Sequence, residues 1–254
     1  MEFKSEYELD MFLSHLTVLS KSGSQGITYV DKGKNLVYKI SYYYFDNELE
    51  SIDFNEESVL QFKDIKSSTF IFPSDIISLN GIIIGYVMPY VNGINLWMLN
   101  PLNINLDWLE LVIDDAVEAI KQISKQNVNC YDMMYNILLG KQFYFIDTDE
   151  YTLRKKNYLD LLHNNLIPFN LEVMYFLVDG LFNDIIKDDI ILAELLASKG
   201  VGISVIIFTK HLRKYLKKLM KKEIITLNDA SILLGDSRNE TSYIRDINLL
   251  ELKR

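Results

Sequence analysis

Hydrophobic patterning changes character once along this chain, near Gly93, and that change limits the folds open to it. From about Leu16 to Val91, short apolar runs alternate with turn residues, which is strand behaviour. The runs predict strands at Leu16–Leu19, Ile27–Val30, Leu36–Ser41, Phe70–Phe72 and Ile82–Met88. Gly33, flanked by Asp31, Lys32 and Asn35, marks a hairpin between the second and third of these. One helix is expected among them, over 53–62, with Val59 and Phe62 on its apolar face. Beyond Gly93 the period lengthens. Leu109, Val112, Ile113, Ala116, Ile120 and Ile123 recur close to every 3.6 residues and predict a helix over Leu106–Gln126. Asp107 near its start suits the positive end of the helix dipole. A hairpin follows, Ile137–Leu139 and Phe143–Ile146 around Gly140-Lys141. From Tyr158 onward the pattern is helical, with breaks near Pro168, Gly180 and Gly200. The fold class is therefore α+β. A small antiparallel β lobe with one helix (1–92) precedes a mainly helical lobe (93–254), with a linker at 92–100.

Composition removes several classes. The 254 residues are 49% hydrophobic with 11 Gly and 4 Pro, which excludes collagenous and low-complexity chains. A net charge of −9 argues against general nucleic-acid binding, whose affinity rests on neutralising phosphates. One cysteine, Cys130, allows no internal disulfide or thiolate cluster, and three dispersed histidines offer no zinc site. Met1–Glu6 lacks the charged-then-apolar layout of a secretion signal. The apolar stretches Ile82–Val91 and Val201–Phe208 fall short of the roughly 18 residues a transmembrane helix needs. A cytoplasmic protein with no transmembrane segment is the expectation.

Four short constellations carry the chemistry. Gly23-Ser24-Gln25-Gly26 lies between two strands, where glycines let main-chain N–H groups approach phosphate oxygens, or where a plain hairpin turns. Lys39 sits inside the apolar strand Leu36-Val37-Tyr38-Lys39-Ile40 and shares a face with Val37. An inward ammonium needs a counter-charge, for which Glu56 or Glu57 is the candidate; otherwise Lys39 reaches back to water. Asp132 and Asn136 flank a turn before the hairpin, and Asp147 ends its second strand, followed by Thr148 and Asp149. Two carboxylates and an amide at one end of a hairpin suit an oxygen-liganded cation such as Mg2+, although each aspartate alone is an ordinary turn residue.

In this order the motifs resemble the protein-kinase-like superfamily, which includes the aminoglycoside and choline phosphotransferases. Gly23, Ser24, Gln25 and Gly26 resemble the latter half of a Gly-rich loop, Val37-Tyr38-Lys39 the V-A-I-K strand, and Glu56 the helix glutamate. Met88, Pro89, Tyr90 and Val91 resemble the hinge beside the adenine ring. Cys130-Tyr131-Asp132 stands at the H-R-D position and Ile146-Asp147-Thr148-Asp149 at D-F-G. The resemblance, over about residues 16–155, implies one catalytic unit with a two-lobed kinase-like fold. It implies ATP and Mg2+ as cofactors, and γ-phosphate transfer to a hydroxyl of an unidentified protein or small-molecule acceptor. It further implies Lys39 on the α- and β-phosphates and held by Glu56, Asn136 and Asp147 as metal ligands, and Asp132 as catalytic base. Asp149 is either a further metal ligand or a solvated turn residue.

The chain departs from the family pattern in several places. Lys21 stands where the first glycine of the loop belongs, and Cys130 and Tyr131 replace His and Arg. Asn136 follows Asp132 by four residues instead of five. These departures keep open a second reading, a pseudokinase acting as a nucleotide-binding or protein-interaction module. Nucleotide transfer is a third. The basic segment 210–222 reads either as a solvated helix face over Leu212, Tyr215, Leu216 and Leu219, or as a docking surface for an acidic partner, nucleic acid or membrane lipid.

Overall fold

The computed structural model describes residues 1–21, 25–49, 52, 54–178, 182–198 and 201–234. It divides into two compact units: Met1–Val91 with Asp147–Asp149, and Asn92–Ile146 with Glu150–Arg254. The class is α+β, with a mixed sheet and several helices.

The first unit is built on β1 (Glu2–Phe3), β2 (Thr17–Ser20), β3 (Gly26–Asp31), β4 (Leu36–Ser41), β5 (Asp75–Leu79) and β6 (Ile82–Pro89). They form one six-stranded sheet in the order β1-β5-β6-β4-β3-β2. The expected hairpin at Gly33 joins β3 to β4, with Val30 opposite Val37. The sheet is not wholly antiparallel, because β1 pairs parallel to β5. Nor is there a single helix. A helix α1 (Glu6–Ser14) precedes β2, and short helices α2 (Tyr42–Phe45) and α3 (Glu56–Val59) follow β4. Ser5 caps α1 by accepting from the Glu8 N–H at 3.3 Å, while Glu8 accepts from the Lys4 N–H at 2.8 Å, close to a capping box. Leu9 and Leu13 of α1 pack on Tyr38, Ile40, Ile77 and Ile84 to form the core on one face of the sheet.

The helix expected over 53–62 shrinks to α3, capped by Asn55; residue 53 lies outside the described residues. Phe70–Phe72 forms no strand. Pro73 follows it, and Phe72 instead stacks its ring on Phe62 at 4.7 Å.

The second unit is organised by three helices: α4 (Leu106–Lys125), α5 (Tyr158–Val178) and α8 (Ser204–Met220), with α6 (Asn183–Lys187) and α7 (Ile190–Ala197) between the last two. Asn105 caps α4 through the Trp108 N–H at 2.9 Å, and all six apolar positions that predicted this helix are buried. The helix α5 runs through Pro168, contrary to the expected break. Proline removes one intrahelical hydrogen bond, but Leu166, Phe169, Val173 and Leu177 are buried around it, and their packing holds the helix together. The expected breaks at Gly180 and Gly200 lie outside the described residues. The expected hairpin forms as β9 (Ile137–Gly140) and β10 (Phe143–Phe145), and the supposed linker supplies it with a third strand, β7 (Gly93–Asn95). A two-stranded ribbon joins β8 (Val128–Asn129) to β11 (Thr152–Leu153). Among the described residues no helix is long and apolar enough to cross a membrane.

Candidate functional site

In the first unit the site is assembled around one buried ammonium. Strand alternation turns Lys39 away from the α1 face of the sheet, and its side chain is 7% exposed. Its Nζ donates to Gln25 Oε1 at 2.6 Å and to Asp147 Oδ1, and lies 3.7 Å from Asp149 Oδ1. The ring of Tyr86, opposite Lys39 on β6, has its centroid 5.4 Å from Nζ, and its hydroxyl donates to Asp147 Oδ1 at 3.3 Å. Asp147 takes a left-handed backbone conformation, φ 56°, which aspartate tolerates better than most residues. The next residue is anchored, since the buried Thr148 hydroxyl donates to the Ile71 carbonyl at 2.8 Å.

Two glycines bring the strands close at this point. A Cβ on Gly26 would overlap the Ile40 carbonyl, and one on Gly85 would overlap the Lys39 carbonyl. Gly26 is thus explained by strand packing. Gly23 and Ser24 lie outside the described residues.

Burial raises the Asp149 carboxyl above its ordinary value; nearby Lys39 opposes the rise and Asp147 adds to it. Burial likewise pushes the Tyr86 hydroxyl well up, and the two aspartates push it further. Asp149 Oδ1 is buried with no hydrogen-bond partner. A buried carboxylate oxygen with the Lys39 ammonium at 3.7 Å but no hydrogen bond, beside a second carboxylate, suits the donor chemistry of a hard, oxygen-liganded cation. Among the described residues no three His, Cys, Asp or Glu side chains are grouped so that they could hold a metal ion.

The expected Lys39–Glu56 pair is not formed. Glu56 is exposed in the first turn of α3 and is not among the partners of Lys39, whose charge is met by Asp147 and Asp149 instead. Val37 and Met88 are buried neighbours in register on β4 and β6. Pro89 pairs with Leu36, and the Tyr90 N–H donates to the Asn35 carbonyl at 2.8 Å; Val91 closes the unit.

In the second unit, Asp132 and Asn136 share a pinned turn. Asp132 is exposed with φ 52°, and Asn136 Nδ2 donates to the Asp132 carbonyl at 2.9 Å. Asn136 in turn accepts the Ile146 N–H at 3.0 Å. Two residues that sequence reasoning missed hold this segment from α5. Buried Asn165 accepts the Cys130 N–H and donates to Ser124 Oγ and the Val128 carbonyl, all at 2.9 Å. Glu172 accepts the Tyr135 N–H at 2.6 Å. They are seven residues apart and so on one helix face, a signal legible as two polar residues within an apolar stripe. Burial raises Glu172 to about 7, opposed by the Tyr135 N–H and by the nearby Trp97 indole. Burial also pushes the Cys130 thiol well up, which disfavours a thiolate.

The basic segment lies on α8 and its end. Leu212 and Leu216 are buried and Tyr215 half-buried, but Leu219 is exposed. Lys214, Lys217, Lys218, Lys221 and Lys222 border one open groove together with Glu223. Lys217 pairs with Glu223, Lys222 with Asp229 at 3.9 Å, and Arg213 with Asp107 and Glu110 of α4.

No protein-family model matches the chain, and neither does any curated protein.

Proposed function

We propose that this chain is an ATP- and Mg2+-dependent phosphotransferase with a two-lobed protein-kinase-like fold, moving the γ-phosphate to a hydroxyl of a protein or small molecule. The observation that carries the proposal is the gathering of Gln25, Asp147 and Asp149 around the buried ammonium of Lys39. Lys39 and Asp147 are 108 residues apart, and they are the two residues that the motif order assigns to the phosphates and the metal. Lys39 would hold the α- and β-phosphates as a point charge. Asn136, Asp147 and Asp149 would hold Mg2+, which when bound neutralises phosphate charge. Asp132, exposed on its turn, would take the proton of the acceptor hydroxyl as the oxygen–phosphorus bond forms and the bond from Pγ to the β,γ-bridging oxygen breaks, releasing ADP. The lysine-lined groove on α8 would receive an acidic partner.

Purified chain incubated with γ-labelled ATP, Mg2+ and a panel of proteins and small hydroxyl compounds tests this. Label transfer that is abolished in Asp147→Asn, with circular dichroism unchanged, is the expected result. MgATP binding without any transfer would overturn the catalytic proposal and leave a nucleotide-binding module.

A further inference from the structure

Glu172 is a buried carboxylate that phosphoryl transfer does not use: only 1% of the residue is exposed, and it borders a small cavity of about 20 Å3 with Leu96, Trp97, Tyr175 and Phe176. We infer that Glu172 is a positioning residue, which fixes the segment from Asp132 to Asn136 through the backbone of Tyr135. The inference rests on the phosphotransferase reading for its catalytic consequence, but not for its geometry.

Tyr135 is the strained residue of the turn. Its φ is 69°, in the left-handed region that an aromatic side chain rarely enters. Three contacts hold it there. Its N–H donates to Glu172 Oε2 at 2.6 Å, and its carbonyl accepts from Asn95 Nδ2 at 2.5 Å. Its ring stacks on Trp97, with centroids 5.2 Å apart and planes 28° from parallel. Asn95 Oδ1 in turn accepts the Trp97 N–H at 3.0 Å, so one asparagine ties both stacked residues together. The next residue is Asn136, whose amide holds the Asp132 carbonyl and whose own carbonyl holds the Ile146 N–H. The backbone of Tyr135 therefore sets the starting point for Asn136, and through it for both neighbouring strand ends.

A neutral acceptor would make the same bond without burying a charge. The side chain keeps an oxygen that accepts this N–H in either protonation state, so the restraint needs the acceptor and not the charge. Glu172 Oε1 has no hydrogen-bond partner, so the hydrogen bond this side chain makes is the one Oε2 accepts, with the nearby Trp97 indole favouring its charged form.

The test uses the full chain with Glu172→Leu and Glu172→Gln. Leucine fills the buried site without an unpaired charge, so Glu172→Leu is expected to fold. Hydrogen exchange of the peptide spanning 131–137 should rise about tenfold or more in Glu172→Leu, the effect of losing one restraining bond, while the α4 and α5 peptides keep wild-type rates. Glu172→Gln, which retains an acceptor, should restore most of the protection. Phosphoryl transfer by Glu172→Leu should fall about tenfold or more in kcat with an unchanged KM for ATP, and Glu172→Gln should recover it. Wild-type exchange in Glu172→Leu, or equal loosening throughout the second unit, would overturn the inference. If wild type transfers no phosphate while the exchange result holds, the phosphotransferase reading falls and Glu172 remains only the anchor of that turn.

Discussion

Replacing Lys39 by methionine removes the one positive charge within a buried cluster of negative groups, and the structure sets the size of the effect. Nζ is 3.7 Å from Asp149 Oδ1, and the two side chains are 7% and 6% exposed. At an effective dielectric of about 20, that separation corresponds to a gross attraction of about 4.5 kcal/mol. Desolvation of both groups offsets part of this in the native chain. Removing one partner nevertheless strands a buried carboxylate, at about 3–5 kcal/mol in comparable cases. Asp147 is 34% exposed and adds less, because water can solvate it. Protonation of Asp149, already favoured by burial, limits the loss. Lys39→Met should therefore destabilise the chain by about 3 kcal/mol, a fall in Tm of roughly 6–12 °C at this length. Lys39→Met/Asp149→Asn should recover most of it, since the second change removes the stranded charge. Calorimetric scans of the wild type, both single variants and the double variant measure the coupling. A single variant within about 0.5 kcal/mol of wild type, or a double variant no better than the single, would refute the ion-pair account.

Two further outcomes follow from separate parts of the fold. Glu172 titrates at about 7 when folded against an ordinary 4.5, so its protonated form is favoured by folding. The stabilisation is complete below about pH 4.5 and lost as pH rises through 7, worth roughly 3 kcal/mol across the window; Glu172→Gln should lack this component when its urea midpoints are compared with wild type from pH 5 to 8. Gly26→Ala should cost at least about 2 kcal/mol in urea unfolding, because the new methyl overlaps the Ile40 carbonyl and both partners are strand backbone.

The parts of the fold that the sequence reveals are those with an unambiguous local period. Helix α4 carries its apolar stripe at helical spacing and ends within one residue of expectation. The hairpin at Gly33 is signalled by its turn residues. Helix α1 went unseen although Ser5 and Glu8 spell its cap, because its nine residues bury only Leu9 and Leu13. Pro168 misled because tertiary packing outweighs a single lost backbone bond. At the site, the inward lysine is legible from strand alternation, but its partner is not. Glu56 opens a one-turn helix too short to present it, whereas Asp147 and Asp149 are brought in from more than a hundred residues away. Asn165 and Glu172 show in the sequence only as two polar residues within the apolar stripe of α5; the groups they hold, mostly backbone of a distant segment, leave no mark on residue type.

The central claim is that Lys39 and the two aspartates form the phosphate and metal site of a phosphotransferase. A crystal structure with Mg2+ and a non-hydrolysable ATP analogue tests it most directly. The account predicts Lys39 on the α- and β-phosphates, with Asn136 and Asp147 ligating one Mg2+ and Asp132 facing the γ-phosphate. Nucleotide bound away from Lys39, or Asn136 and Asp147 pointing to separate places with no shared metal, would contradict it.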